Sequence, residues 1–179
     1  MLADVARVGP FFTVATEPGH RPGFRPLAEL WSTPAPLRER IGHVAGSLRS
    51  GRRVAASIVF QGIVASLVSA PLAAAATHGV VPRFDPDRLY VCPEPNRPWS
   101  LWCPAPEGWR VDPGAAAAAA LDSVVLGGLV APLVAVVRAQ VAVSERVLWG
   151  NAASAVAGAV RVLVRARPAV AVPVAETAR

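Results

Sequence analysis

Cys92 and Cys103, the chain's two cysteines, are its only soft metal ligands or redox thiols. They are too few for a disulfide scaffold. The three histidines, His20, His43 and His78, belong to no His/Asp/Glu cluster at ligand spacing, so no metal site is expected. His78 precedes Gly79, where a helix end accounts for both residues. Asp85 and Asp87 flank Pro86, a turn position that favours Asp for backbone reasons. No nucleophile stands beside a base and no carboxylate pair is suggested. No catalytic residue is therefore assigned.

What remains is a binding pattern. From Val147 to Arg161 the chain reads as an apolar helix with one polar line. Asn151, Ser154, Gly158, Arg161 and Arg165 are spaced 3, 4, 3 and 4, which makes a narrow stripe at about 100° per residue. A helix apolar over most of its girth is expected to be buried over most of its girth. The stripe then meets water or lines a groove. Trp149 and Asn151 either fix packing against a neighbour or face a ligand. Arg161, Arg165 and Arg167 either complement a helix C-terminus or attract an anion. Trp99 and Trp102 are three apart and point to opposite strand faces. One is expected inward. The other, with Trp102 as the candidate, is placed to stack on an aromatic ligand. The candidate ligand-binding set is Trp149, Asn151, Ser154, Arg161, Arg165 and Trp102.

The elements that position these residues are mainly helical. The first 25 residues read as loop-rich, with a short strand over 9–17. Helices are predicted over 26–31 and 37–48, the latter opened by Pro36 with Thr33 or a neighbour as N-cap. A third runs over 52–69, with Arg53, Ser57 and Gln61 in line. Pro71 ends it, and a short helix follows to His78. Positions 87–91 and 99–102 read as an antiparallel hairpin, on whose strands the nearby prolines imply edge positions. Register with Cys92 opposite Trp99 leaves Cys103 beside Arg88, so the two sulfurs do not meet. A further strand over 109–111 is possible. Asp112 and Pro113 then open a helix as N-cap and first residue, continuing to about Gly127. Helices over 130–142 and 144–165 follow, and 168–179 is expected to be a disordered tail. The fold class is a mainly α single domain over 26–167, with a small antiparallel hairpin at roughly 87–103.

Composition narrows the partners. At 53% hydrophobic, 179 residues suffice for one core. The net charge is +6 and every basic residue is Arg. The arginines are scattered and no nucleic-acid motif is present, so no nucleic-acid partner is expected. Positions 54–82 lack any charged residue but contain Pro71 and several polar side chains. Positions 115–137 contain Asp122 and Pro132. Two buried helices are expected rather than membrane spans, with at most peripheral membrane association. No secretory signal is visible, which makes the expected location cytoplasmic.

Three segments in order resemble the FhuF-like ferric-siderophore reductases of actinobacterial type. They are Ser57-Ile-Val-Phe-Gln-Gly62 followed by His78-Gly-Val-Val-Pro82, then Asp85-Pro-Asp-Arg-Leu89 leading to Trp99-Ser-Leu-Trp102, and Leu148-Trp-Gly-Asn-Ala-Ala-Ser154 with Gly158 and Arg161 beyond. The likeness spans roughly residues 30 to 165. It implies iron–siderophore metabolism and a [2Fe–2S] cluster held by four cysteines in a C-terminal segment. The sequence ends at Arg179 without a counterpart. The expectation is a cluster-less relative with no cofactor of its own, which binds a ferric siderophore or a partner redox protein rather than reducing iron alone. The alternatives are a truncated [2Fe–2S] reductase and a small membrane-associated structural protein.

Overall fold

The computed structural model describes residues 1–94, 97–112 and 114–171. In chain order its elements are helix α1 (Leu2–Val5), strands β1 (Val14–Ala15) and β2 (Arg25–Pro26), and helices α2 (Glu29–Ser32), α3 (Ala35–Ser47) and α4 (Arg52–His78). Strands β3 (Val80–Arg83), β4 (Tyr90–Cys92), β5 (Ser100–Trp102) and β6 (Glu107–Arg110) follow. Helix α5 (Ala115–Leu121) runs through a π-helical stretch, Asp122–Val130, into α6 (Ala131–Gln140), and α7 (Glu145–Ala166) comes last. The fold is mainly α, as the sequence implies.

Helix α4 is the axis of the molecule. It does not stop at Pro71: the helix is continuous from Arg52 to His78. An internal proline removes one backbone hydrogen bond and costs about 3 kcal/mol. Every residue from Ser66 to Ala76 is buried, including Leu67 and Leu72. Burying one leucine contributes about 2 kcal/mol, so the collective burial outweighs the missing bond. Buried hydroxyls keep to the helix as well: Ser69 donates to the Ala65 carbonyl at 2.6 Å and Thr77 to that of Ala73 at 2.6 Å. Gly79 ends the helix at φ +61°, a left-handed conformation natural to glycine.

Helices α4 and α7 form the most extensive helix pair and run parallel. Asn151 donates to the Ser57 carbonyl near their N-terminal ends, and both C-terminal ends converge on Asp4. Helix α7 buries Leu148, Ala152, Ala155, Ala159 and Leu163, spaced 4, 3, 4 and 4. Its contact face is thus made largely of alanine, which lets the helices approach closely. This corrects the expectation for α7, which is buried on one face only; Val147 and Val162 are exposed. Ser144 caps it by accepting from the Val147 amide.

The hairpin forms with Cys92 opposite Ser100 and Tyr90 opposite Trp102, one residue from the expected register. Its strands are not at the edge. The sheet order is β1-β5-β4-β2, with β1 parallel to β5, so both hairpin strands are central. Pro93 and Pro98 lie outside the ladder, and Pro26 occupies the edge strand β2, where a missing donor is tolerated. The predicted strand near 109 is β6, and it pairs with β3 rather than with the hairpin. There a Cβ on Gly108 would meet the Val81 carbonyl oxygen at 2.8 Å, so the close pairing requires glycine.

Other boundaries shift. Helix α2 starts at Glu29, and α3 has Pro34 rather than Thr33 at its N-cap. Helix α5 has Gly114 at its N-cap in place of Asp112, and Pro113 lies outside the described residues. The helices predicted on either side of Gly127 are one rod joined by the π-helical stretch. The N-terminal segment joins the core through Leu2, Val5, Phe12 and Val14. Of the predicted tail, Pro168–Val170 form a 3-10 turn, and residues 172–179 lie outside the described set.

The alanine face of α7 makes a direct prediction. Ala152→Leu overpacks the α4–α7 contact, which costs about 1–3 kcal/mol. For a chain of this length, thermal denaturation followed by circular dichroism should show the midpoint falling by roughly 2–10 °C.

Candidate functional site

Two polar lines face each other across the α4–α7 pair. Ser57 and Gln61 on α4 meet Asn151 and Ser154 on α7. Asn151 is the structural member, since its side-chain amide donates to both the Ser57 carbonyl and the Ser57 hydroxyl. A mid-helix Asn is thereby satisfied by a neighbouring helix. Just beyond it the pair opens into a groove of about 490 Å³. Ser154, Gly158 and Arg161 line it from α7, and Gln61, Gly62 and Ala65 from α4. The Pro10–Phe12 turn forms the third wall.

A second hollow of about 410 Å³ adjoins it over α3 and the turn before β5. Arg40, His43, Arg97 and Trp99 line this one. Phe11, Ile58 and Gly62 belong to both, so the two make one apolar trough across the face of α4. Three arginines stand along it, and no Asp or Glu is among its described lining residues. Arg40 is held by a hydrogen bond to the Arg97 carbonyl at 3.4 Å. Trp99 is buried, and among the described residues its Nε1–H has no hydrogen-bond partner.

The six sequence-nominated residues separate clearly. Ser154 and Arg161 line the groove, and Asn151 supports it from one end. Trp149 is half-buried, with its Nε1–H directed to Glu145 at 3.4 Å, and lies outside the trough. Arg165 is exposed and also lies outside it. Trp102 is buried rather than exposed. Tyr90 packs on it with centroids 4.8 Å apart, Phe24 meets it edge-on at 5.9 Å, and the Arg21 guanidinium sits over the ring. Its Nε1–H donates to the Glu17 carbonyl at 2.9 Å. Both hairpin tryptophans therefore point into protein, because the sheet is covered on both faces. Trp99, not Trp102, is the tryptophan beside the trough. Phe11, Gln61 and Trp99 were not among the sequence-nominated residues, although the line of Ser57 and Gln61 on α4 was visible.

The cysteines do not form a metal site. Cys92 pairs with Ser100, three residues before Cys103, which puts about 10 Å of strand between them. Both thiols are free, and burial pushes both above the ordinary thiol value. Among the described residues no group of three or more His, Cys, Asp or Glu could hold a metal ion. The [2Fe–2S] cluster implied by the family resemblance needs four thiolates, and this donor set does not fit it.

At the far end of the trough's framework lies a clasp. Asp4 accepts from Arg167 Nη1 at 2.7 Å and pairs with His78 Nε2 at 3.0 Å. Arg167 Nη2 also donates to the Asp4 carbonyl at 2.7 Å. His78 and Arg167 lie at the C-terminal ends of α4 and α7, where cations oppose the negative helix dipole. Hydrogen bonds from Arg167, with His78 adding to them, lower the Asp4 carboxyl pKa from 3.8 to about 2.

No protein-family model, curated protein or solved structure matches the chain.

The clasp sets a pH dependence. A carboxyl with a depressed pKa stabilises the fold above its unfolded value and loses that contribution as pH falls through the folded one. Asp4→Asn should therefore melt below the parent chain at neutral pH. The gap should close between about pH 4 and pH 2. Paired thermal melts across that range check it, and a gap independent of pH would remove the clasp from the account.

Proposed function

We propose that this chain is a ligand-binding protein of iron–siderophore metabolism, holding a ferric siderophore in the trough between α4 and α7 rather than reducing iron by itself. The observation that carries the reading is that Ser154 and Arg161, part of the best-matching FhuF-like motif, line the groove of about 490 Å³. The trough has features such a ligand needs. It is apolar over most of its wall, has arginines along its length, and has no carboxylate among its described lining residues to repel an anionic chelate. The two cysteines offer no redox centre, so iron reduction at this site would call for a partner redox protein to supply the electron. A cytoplasmic location belongs to the same proposal.

A second reading has one observation behind it. Three helices are long and apolar enough to cross a membrane by length and composition: α4, the rod Ala115–Gln140, and α7. Within the fold 78% of the most apolar stretch of α4 is buried, but only 33% of that of the rod and 28% of that of α7. The rod, the more apolar of these two, would be the membrane-contacting element. Its outward residues include Asp122 and Arg138, which favour a surface association over a span. Retention in the soluble fraction after lysis at high salt is the expected result; sedimentation reversed only by detergent would support the membrane reading.

Tryptophan fluorescence tests the first reading, because Trp99 forms part of the trough wall. Titration with hydroxamate, catecholate and carboxylate ferric siderophores should give saturable quenching by one class. Arg161 is exposed, so Arg161→Glu should leave folding intact and weaken that binding roughly fivefold. No quenching by any class would overturn the proposal.

A further inference from the structure

We propose that the chain has a second binding site, beside the β3–β6 pair, which takes a zwitterion bearing an aromatic ring: a free aromatic amino acid. It shares no described lining residue with the trough, so it stands or falls apart from the ferric-siderophore reading. The site has two compartments that meet at Arg83 and Asp85. One is a polar pit of about 80 Å³, where Arg88 and Glu107 join those two residues. The other is an open hollow of about 610 Å³, which Phe84, Pro86, Trp109 and Val124 line together with Arg83 and Asp85. At roughly 30 Å³ per water molecule, the pit has room for a small charged head group and not for a ring. The hollow has room for the ring.

The charges of the pit point to a zwitterion. Two arginines and two carboxylates line it, so their signs balance, but they are not all paired. Arg83 lies opposite Glu107 in the β3–β6 register, yet Glu107 takes its ion pair from Arg88 at 2.9 Å. Asp85 accepts one hydrogen bond at Oδ1, from the Asp87 amide at 3.0 Å. Among the described residues Arg83 has no ion pair or hydrogen bond, and Asp85 has no cationic partner. A ligand with one charge of each sign meets both, its carboxylate at the Arg83 guanidinium and its ammonium at Asp85. A simple anion would face two carboxylates there, and a simple cation two arginines.

The ring follows from the hollow. Trp109 is 39% exposed and sits on the same face of the strand pair as Arg83, as its diagonal neighbour. Such neighbours lie about 7–8 Å apart. Among the described residues no cation–π contact joins the two. An open indole beside the apolar surface of Phe84, Pro86 and Val124 is covered by a second ring at a gain in free energy. One amino acid reaches both features, with its head at Arg83 and its ring at Trp109.

The test is isothermal titration calorimetry of the full chain with L-phenylalanine and three controls that each lack one feature. Hydrocinnamate lacks the ammonium, phenethylamine the carboxylate and L-alanine the ring. Phenylalanine should bind saturably with a stoichiometry near one, and each control roughly tenfold more weakly. Arg83 is exposed, so Arg83→Gln should fold, weaken phenylalanine by roughly tenfold and leave phenethylamine unchanged. Asp85→Asn keeps an oxygen for the Asp87 amide and removes the charge; it should weaken phenylalanine by roughly tenfold without weakening hydrocinnamate. Trp109→Ala should weaken both of these aromatic acids by roughly tenfold. A circular dichroism spectrum and melt for each variant show that it is folded. Absence of saturable phenylalanine binding at millimolar concentration, a control that binds as tightly as phenylalanine, or binding indifferent to Arg83→Gln and Trp109→Ala would overturn the inference.

Discussion

The parallel contact between α4 and α7 is the constraint on which the rest of the molecule depends. Parallel helices that are distant in sequence need a return element, and the rod of α5, the π-helical stretch and α6 provides it. Their close approach needs small side chains, and α7 supplies Ala152, Ala155 and Ala159. The same smallness produces the groove. Where alanine and glycine face each other with no larger side chain to fill the space, a concave apolar surface remains. Packing and binding therefore draw on one set of residues, which is why the polar line of α7 begins as a structural contact at Asn151 and ends as a groove wall at Arg161.

Around that pair the other elements have identifiable tasks. Helix α3 and the turn before β5 extend the groove past Ile58. The Pro10–Phe12 turn closes its side, and the parallel pairing of β1 with β5 ties that turn's neighbourhood to the central sheet. The Asp4 clasp joins the N-terminal segment to the C-terminal ends of both helices. A segment that reads as loop-rich is thus held by a charged contact at one end and a strand at the other.

How much of this was legible in the sequence follows from the range of each signal. Helical periodicity is local, and α3 and α7 come out within about two residues of their predicted bounds. The hairpin is local too. Pro71 misleads because its rule describes a solvated helix, whereas here burial on all sides outweighs one lost hydrogen bond. The edge-strand reading fails for a related reason: Pro93 and Pro98 sit beyond the ladder, and β1 and β2 are too short to be seen. Alternation along the strand points to one exposed tryptophan, but both faces of the sheet are covered, so Trp99 and Trp102 are both buried. For the site, the facing polar lines on α4 and α7 were both visible. Their mutual contact, and the position of Trp99 beside the trough, depend on tertiary placement that one sequence does not encode locally.

The most direct test of the account is whether Ser57 and Asn151 are neighbours, since only the parallel arrangement of α4 and α7 joins them. A Ser57→Cys, Asn151→Cys double variant, oxidised mildly and analysed by peptide mass spectrometry, should form an intramolecular disulfide between those two positions, whose parent side chains are in hydrogen-bond contact. The native thiols, Cys92 half-buried and Cys103 buried, lie too far apart to pair with each other and should remain reduced. A folded double variant that forms no such link under oxidising conditions would contradict the helix arrangement, and with it the groove.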